Sequence, residues 1–143
     1  MYLMTSRLVE IKGALNEVLE DMKVDSLTFT EWSRVTELCR LLQPFREQTD
    51  LLQSDNLSLS CVIPSLLELS LHLQDSTFTK SLALPLLQSL CRRFAVFLEP
   101  SSDLFDPLAA TACLLDPAVM TTMLRNDMAP LLHAAKSRIQ QEV

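Results

Sequence analysis

The sequence predicts an all-α domain, and three observations support that fold class. Glycine occurs once in 143 residues, so turns that need a positive φ are scarce. Leucine occurs 30 times, whereas the β-branched and aromatic residues that favour strands are sparse. Apolar residues recur at steps of three and four, which is the period of a helix face. We therefore expect one compact domain over residues 1–143, built from five to seven helices.

The first predicted helix has an apolar seam whose members alternate steps of four and three residues. The seam consists of Met4, Leu8, Ile11, Leu15, Val18 and Met22. Residues at this spacing share one side of a helix, and we expect Leu15, together with Leu19, in the core. The second flank of the helix, with Leu3 and Val9, is a surface that we expect to meet a partner.

The second predicted helix starts with a capping box. Thr28 and Glu31 have the required spacing, because the hydroxyl accepts one orphan N–H while the carboxylate reaches back to another. Trp32 follows on a face that we place in the core, in preference to a role in stacking on a base or ligand. Pro44, just before Phe45, removes a backbone donor and predicts that the helix is kinked or split there.

Proline and aspartate mark the starts of later helices. Pro64 lies in the first turns of a helix that starts near Leu59, and a further helix covers residues 79–98. Asp116 is followed by Pro117, which is the pattern of an N-cap with proline at the first helical position. This capping role explains Asp116 better than a role as a catalytic acid does.

The last predicted helix carries Leu131 and Ile139, which complete the expected contact surface. We expect breaks between helices near Asp25 and within residues 54–57, 74–77 and 99–106. The expected core consists of Leu15, Leu19, Trp32, Val35, Cys39, Leu42, Phe45, Leu66, Leu90, Phe94 and Leu115.

The charge balance is acidic, with a net charge of −6 and a pI of about 4.8. A free-standing nucleic-acid binder would show a basic stripe, so we expect little or no direct DNA binding. The apolar fraction is 48% and the mean hydropathy is +0.20, which is high for a small helical domain. We therefore expect a protein partner, and at least a weak homodimer or another apolar contact. No segment approaches the roughly 20 apolar residues of a membrane helix.

Residues for catalysis or metal binding do not cluster in the sequence. Phosphate-binding loops and dinucleotide fingerprints need several glycines, and this chain has one. The two histidines stand 61 residues apart, and the four cysteines include no Cys-x-x-Cys pair. We expect no catalytic residue, no metal and no cofactor, and the cysteines are typical of reduced thiols in an intracellular protein.

Four short segments carry a resemblance to a known family. They are Leu27-Thr28-Phe29-Thr30-Glu31-Trp32, Leu42-Gln43-Pro44-Phe45, Val62-Ile63-Pro64 and Leu115-Asp116-Pro117. In this order and approximate spacing they resemble the all-helical insertion of hAT-superfamily transposases, as kept in host zinc-finger proteins that have domesticated such a transposase. The resemblance implies a helical region of a longer, nuclear protein with BED-type or C2H2 zinc fingers.

The resemblance also implies a non-catalytic domain. The family's two catalytic Asp precede this region and its catalytic Glu follows it, so none has a counterpart here. After Leu-Asp-Pro the family has Arg-Phe-Lys, whereas this chain has Ala118-Val119-Met120, which argues against DNA handling. We expect a protein-interaction domain in chromatin or transcription regulation, with a chromatin-associated partner. Two alternatives are an unrelated helical adaptor that binds partner helices and the DNA-contacting insertion domain of an active transposase.

Overall fold

The computed structural model describes residues 1–53, 58–76 and 80–142, and every regular element in these ranges is helical. The α-helices are α1 Tyr2–Glu10, α2 Lys12–Asp21, α3 Phe29–Leu52, α4 Val62–Asp75, α5 Lys80–Arg93, α6 Ala95–Leu98, α7 Leu108–Leu115 and α8 Ala129–Glu142. Short 3₁₀ turns cover Leu59–Cys61, Met120–Leu124 and Asn126–Met128. The all-α prediction is confirmed. The described residues form eight α-helices, slightly more than the five to seven expected, since the first predicted helix divides into α1 and α2 and the one predicted over 79–98 divides into α5 and α6.

The division between α1 and α2 lies at Ile11, whose φ and ψ of −90° and 7° depart from the helical values. The hydrogen bonds of an α-helix continue across it. Ile11 N–H donates to Arg7 O at 3.1 Å, and Leu15 N–H donates to Ile11 O at 2.9 Å. Side chains on both sides of Ile11 therefore keep approximately the helical order around the axis.

The predicted capping box at the start of α3 is confirmed. Glu31 N–H donates to Thr28 Oγ1 at 3.3 Å, and Thr28 N–H donates to Glu31 Oε2 at 2.8 Å. These bonds with Thr28 lower the pKa of Glu31, since they favour the charged carboxylate. Pro44 lies inside α3 without splitting it, and Phe45 next to it is half-buried. The bend expected at Pro44 stays a prediction.

The core has two parts that share α4. One part joins α4 to α7 and α8 and contains Ile63, Ala109, Ala110, Cys113, Met123, Leu131 and Ala135. The other joins α4 to α3 and α5 and contains Leu41, Leu66, Leu69, Leu73, Ala83 and Leu90. Because α4 faces both groups, it is apolar on more than one side. Half-buried residues of the expected core lie at the margins, and they are Leu15, Leu19, Val35, Cys39, Leu42, Phe45 and Phe94.

Trp32, Leu66 and Leu90 are buried as predicted, but the placement of Leu115 in the core is wrong. Leu115 is 65% exposed. It stands seven residues after Leu108, which is also exposed, so the two lie on the outer side of α7. The inner side of α7 is made by small residues between them, which allow a close approach to α8.

Two of the expected breaks are confirmed, a third lies partly outside the described residues and the fourth lies wholly outside them. The chain leaves the helical state between α2 and α3, near Asp25, and again between α6 and α7. α4 ends at Asp75, within the expected segment 74–77, of which residue 77 lies outside the described ranges. The break expected at 54–57 also lies outside them. Within the described ranges, no helix combines the length and the apolar character needed to cross a membrane.

Candidate protein-interaction surface

The end of α2 extends beyond the start of α3. The segment formed by α1 and α2 runs antiparallel to α3. Tyr2, at its start, lines a cleft with Leu42, whereas Lys12, ten residues later, has its Nζ 5.3 Å from the ring centroid of Trp32, near the start of α3. Residues further along α2 thus lie beside residues nearer the start of α3, which begins at Phe29. α1 packs on α3, whereas α2 makes few contacts with it and has no buried residue. The last turns of α2 therefore project past the helix that supports α1.

Four apolar side chains form an exposed row along α1 and α2, which we call the N-terminal stripe. Met4, Ile11, Val18 and Met22 are 69%, 40%, 53% and 66% exposed. They belong to the seam recognised in the sequence, whose other members, Leu8 and Leu15, are half-buried. The seam is thus turned partly to solvent along its length. A continuous row of exposed apolar side chains on one helix is a candidate for a protein contact.

The side of the helix that faces α3 is rotated away from the stripe. Thr5 is buried, and Lys12, Asn16 and Leu19 further along this side are half-buried. Thr5 satisfies its own hydroxyl by donating to Tyr2 O at 2.8 Å, so a polar residue is tolerated in the interface. The pairing with α3 consequently uses a partly polar side, and this leaves the more apolar one uncovered within the described chain.

An acidic row accompanies the N-terminal stripe. Glu10, Glu17 and Asp21, which we call the acidic row, are exposed and stand directly before Ile11, Val18 and Met22 in the sequence. Since successive residues are about 100° apart on a helix, the acids lie along one edge of the stripe. Arg7 pairs with Glu10 at 2.8 Å, but both side chains are largely exposed and such a pair contributes little stability.

Negative charge dominates this whole end of the molecule. Residues 1–31 contain six Asp or Glu and three Lys or Arg. The acidic row was not predicted from the sequence as part of the site. Its signal is the repeated occurrence of an acid immediately before a seam residue.

Trp32 lies beneath this surface and is a core residue, as predicted. Its side chain is buried, with Lys12 over the ring. Such a cation–π contact contributes about 0.5–1 kcal/mol at an exposed site and more where the groups are desolvated. The indole Nε1 is buried and has no hydrogen-bond partner among the described residues. Because the ring is covered, it is not presented as a platform for a base.

The four residues expected to meet a partner differ in their exposure. Leu3 is exposed and lines a cleft of about 310 Å³ between α1 and α3. Val9 and Ile139 are half-buried. Leu131 is only 4% exposed and belongs to the core, so its assignment to the contact surface is wrong. It is buried because α8 packs on α7 through this side of the helix.

Asp116 caps the turn that follows α7, and it also holds a distant residue. Its Oδ1 accepts from Ala118 N–H at 3.0 Å, and its Oδ2 accepts from the hydroxyl of Ser60 at 2.5 Å. These two bonds, the one from Ser60 first, lower the pKa of Asp116. The expected N-cap thus serves a turn that leads into the 3₁₀ segment Met120–Leu124, with Pro117 exposed inside that turn.

The bond from Ser60 brings two of the four resembling segments together. Ser60 precedes Val62-Ile63-Pro64 at the start of α4, where Pro64 occupies the first turn, and Asp116 belongs to Leu115-Asp116-Pro117. The remaining two segments are both on or next to α3. The residues that carry the resemblance therefore act mainly as caps and packing positions.

One thiol near Asp116, that of Cys113, lies in an environment that disfavours its thiolate. Cys113 is buried, and burial first, followed by the charges of Asp116 and Cys61, raises the pKa of its thiol to about 11. At neutral pH this sulfur is protonated. In the described ranges, no three His, Cys, Asp or Glu residues are grouped so that they could hold a metal ion.

A cleft of about 480 Å³ lies between α4, the turn after α6 and the start of α8. Its acidic residues, Glu99 and Asp127, are engaged by neighbours. Glu99 accepts from the hydroxyl of Ser101, and Asp127 pairs with Arg125 at 2.9 Å. The cleft thus offers mainly apolar walls, without a group of polar side chains directed to a ligand.

Comparison with protein-family models, with curated proteins and with solved structures finds no match for this chain. The resemblance to the hAT helical region therefore depends on the four short segments alone. The exposure of the stripe and the charge beside it are properties of this chain and do not depend on that resemblance.

Proposed function

We propose that this chain is a non-catalytic protein-interaction domain of a nuclear, transposase-derived zinc-finger protein that acts in chromatin or transcription regulation. The N-terminal stripe is the observation that supports the interaction role. The nuclear and zinc-finger context is supported by the resemblance of the four segments, which is an argument by family analogy.

The apolar area of the stripe limits the binding free energy that it can contribute. Full burial of a large apolar side chain contributes about 1.5–3 kcal/mol. Since the four side chains are roughly half exposed, covering them would contribute roughly 3–7 kcal/mol before the cost of association. A micromolar complex needs about 8 kcal/mol. The stripe alone is therefore too small, and a stable complex must use further groups at the same end of the molecule.

Charge favours a protein partner over DNA. The net charge of −6 opposes a phosphate backbone, and Arg125 is already paired with Asp127. The alternative of a DNA-contacting domain in an active transposase would also have to do without the cations that Ala118-Val119-Met120 replace. We propose little or no direct DNA binding, with targeting to chromatin supplied by a partner or by zinc fingers elsewhere in the protein.

The second alternative, an unrelated helical adaptor, would use the same stripe. It differs in what accompanies the domain in the full-length gene product. Zinc-finger spacing upstream would support the transposase-derived protein, and further helical repeats would support the adaptor.

Affinity purification from nuclear extract, with mass spectrometry of the bound proteins, tests the proposed function. The baits are the wild-type protein, the stripe variant Ile11→Asp/Val18→Asp and the control Leu104→Asp, which charges an exposed leucine outside the stripe, between α6 and α7. We expect chromatin-associated proteins with the wild type and the control, and their loss with the stripe variant. The same set of proteins with all three baits, or a set without chromatin proteins, would refute the proposal.

A further inference from the structure

The spacing of the N-terminal stripe fits a helix as its partner. Met4, Ile11 and Val18 repeat every seven residues, and Met22 follows after four. Rows with this repeat pack along a second helix whose apolar residues have the same period. From Met4 to Met22 the row extends over about 27 Å, which a partner helix of roughly five turns would cover.

The charge beside the stripe defines the chemistry of that partner. Glu10, Glu17 and Asp21 follow the stripe along its length and are exposed. In paired helices, the charges of the residues that flank the apolar seam determine the specificity for the partner. A helix with Lys or Arg beside its apolar side would place cations against this row, whereas a second copy of the chain would place acids there.

The first turn of α3 adds an aromatic group to this surface. Phe29, in the first turn of α3, is 85% exposed, and Val24 and Leu27 just before it are also exposed. They lie where α2 projects past α3, which is the end that carries Val18 and Met22. Exposed aromatic residues frequently provide a large share of binding energy when a partner covers them. They supply the further contacts that the stripe needs for a stable complex.

We propose that the N-terminal stripe and the acidic row form a docking site for a basic amphipathic helix of a partner protein. The inference rests on the proposed function and names the chemical class of its partner. The apolar side of the incoming helix covers the stripe, and its Lys and Arg side chains lie against Glu10, Glu17 and Asp21. Phe29 contacts the end of that helix, next to the last turns of α2.

Three synthetic peptides of about 21 residues, or three heptads, serve as probes. The first has Leu at the seam positions and Lys beside them, the second has Glu in place of Lys, and the third has the first composition in an order without helical period. Binding of the labelled peptides is measured by fluorescence anisotropy at low and at physiological salt. We expect the wild-type protein to bind the basic helical peptide at least about tenfold more tightly than either of the others.

Two double variants with equal net charge separate the docking site from general attraction. Glu17→Lys/Asp21→Lys changes the acidic row, and Asp75→Lys/Asp103→Lys changes two exposed acids elsewhere. We expect the first to weaken the basic peptide by at least about tenfold and to gain affinity for the acidic peptide, with the second close to wild type. Circular dichroism of both variants verifies that they remain folded.

Several outcomes would overturn the inference. Equal weakening by the two double variants would mean non-specific attraction, and equal binding of the scrambled or acidic peptide would exclude a basic helix. Micromolar self-association of the wild type that Val18→Ser abolishes would assign the stripe to a second copy. If the basic peptide does not bind but the stripe variant still loses chromatin proteins in the purification, the partner class is wrong and the proposed function stands. Failure of both experiments rejects both.

Discussion

The hydroxyl of Ser60 donates a hydrogen bond to Oδ2 of Asp116 at 2.5 Å, which joins the start of α4 to the end of α7. The two residues are 56 positions apart in the sequence. Ser60 is buried, and the backbone next to it leads directly into Ile63, which is fully buried in the core. The contact therefore connects the segment that leads into α4, the helix that both parts of the core share, to the turn after α7.

Replacement of Ser60 by alanine should lower the stability of the fold. The change removes the donor and leaves Asp116 without one of its two hydrogen bonds, which disfavours its charged form. We expect a lower urea midpoint with an unchanged slope, measured by far-UV circular dichroism. Ser101→Ala, at an exposed serine whose bond is local, is the control and should stay near wild type. An unchanged midpoint for Ser60→Ala would show that the contact does not hold the two helices together.

The same contact should make stability depend on pH in the acid range. The pKa of Asp116 in the folded state is below its ordinary value of 3.8, so its contribution is present above that value and is lost as pH falls through the folded-state pKa. Unfolding free energies of the wild type and Ser60→Ala should therefore differ at about pH 5 and converge toward about pH 2. A difference that grows as the pH falls would contradict the assignment of the carboxylate as the acceptor.

Trp32 should be a major contributor to the stability of the N-terminal helices. Its side chain is 3% exposed and has Lys12 over the ring, so Trp32→Ala leaves a cavity and should cost about 3–5 kcal/mol, with a smaller loss for Trp32→Phe. The measurement is urea unfolding followed by circular dichroism. Because Trp32 is the only tryptophan, its fluorescence in the wild type gives a second record of the same transition. Emission typical of a solvated indole in the native protein would contradict the burial.

Direct binding to DNA should be weak. The protein carries a net charge of −6, Arg92 and Arg93 are exposed at the end of α5, and Arg125 is paired with Asp127. We expect affinity for random duplex weaker than the roughly 10⁻⁴–10⁻⁶ M of non-specific binders at physiological salt. Fluorescence anisotropy of a labelled duplex at two salt concentrations measures it. Micromolar binding with a steep salt dependence would reveal a basic patch and restore the DNA-contacting alternative.

Local chemistry made part of the fold predictable from the sequence. The all-α class follows from composition, and the capping box of Thr28 and Glu31 was recognised because its bonds span only three residues. The contact of Ser60 with Asp116 could not be inferred in this way, since nothing local in either segment identifies its partner.

The predictions of burial failed where they depended on how one helix packs against another. Periodicity shows which residues share a helix side, but not which neighbour, if any, covers that side. Leu115 was expected inside and is exposed, whereas Leu131 was expected at the surface and is buried. The exposure of Leu115 depends on which side α7 turns to its neighbours, and the burial of Leu131 depends on which side α8 turns to α7. The N-terminal stripe is the same kind of case, because its apolar period would equally suit a core position.

A methyl NMR titration determines whether the N-terminal stripe is the surface that binds a basic helix. The protein, labelled at Met, Ile, Leu and Val methyl groups, is titrated with the basic helical peptide. We expect the signals of Met4, Ile11, Val18 and Met22 to shift together in one saturable transition, while those of the buried Met123 and Leu131 stay in place. Shifts confined to the cleft between α4 and α8, or stripe signals that do not move at peptide saturation, would contradict the account.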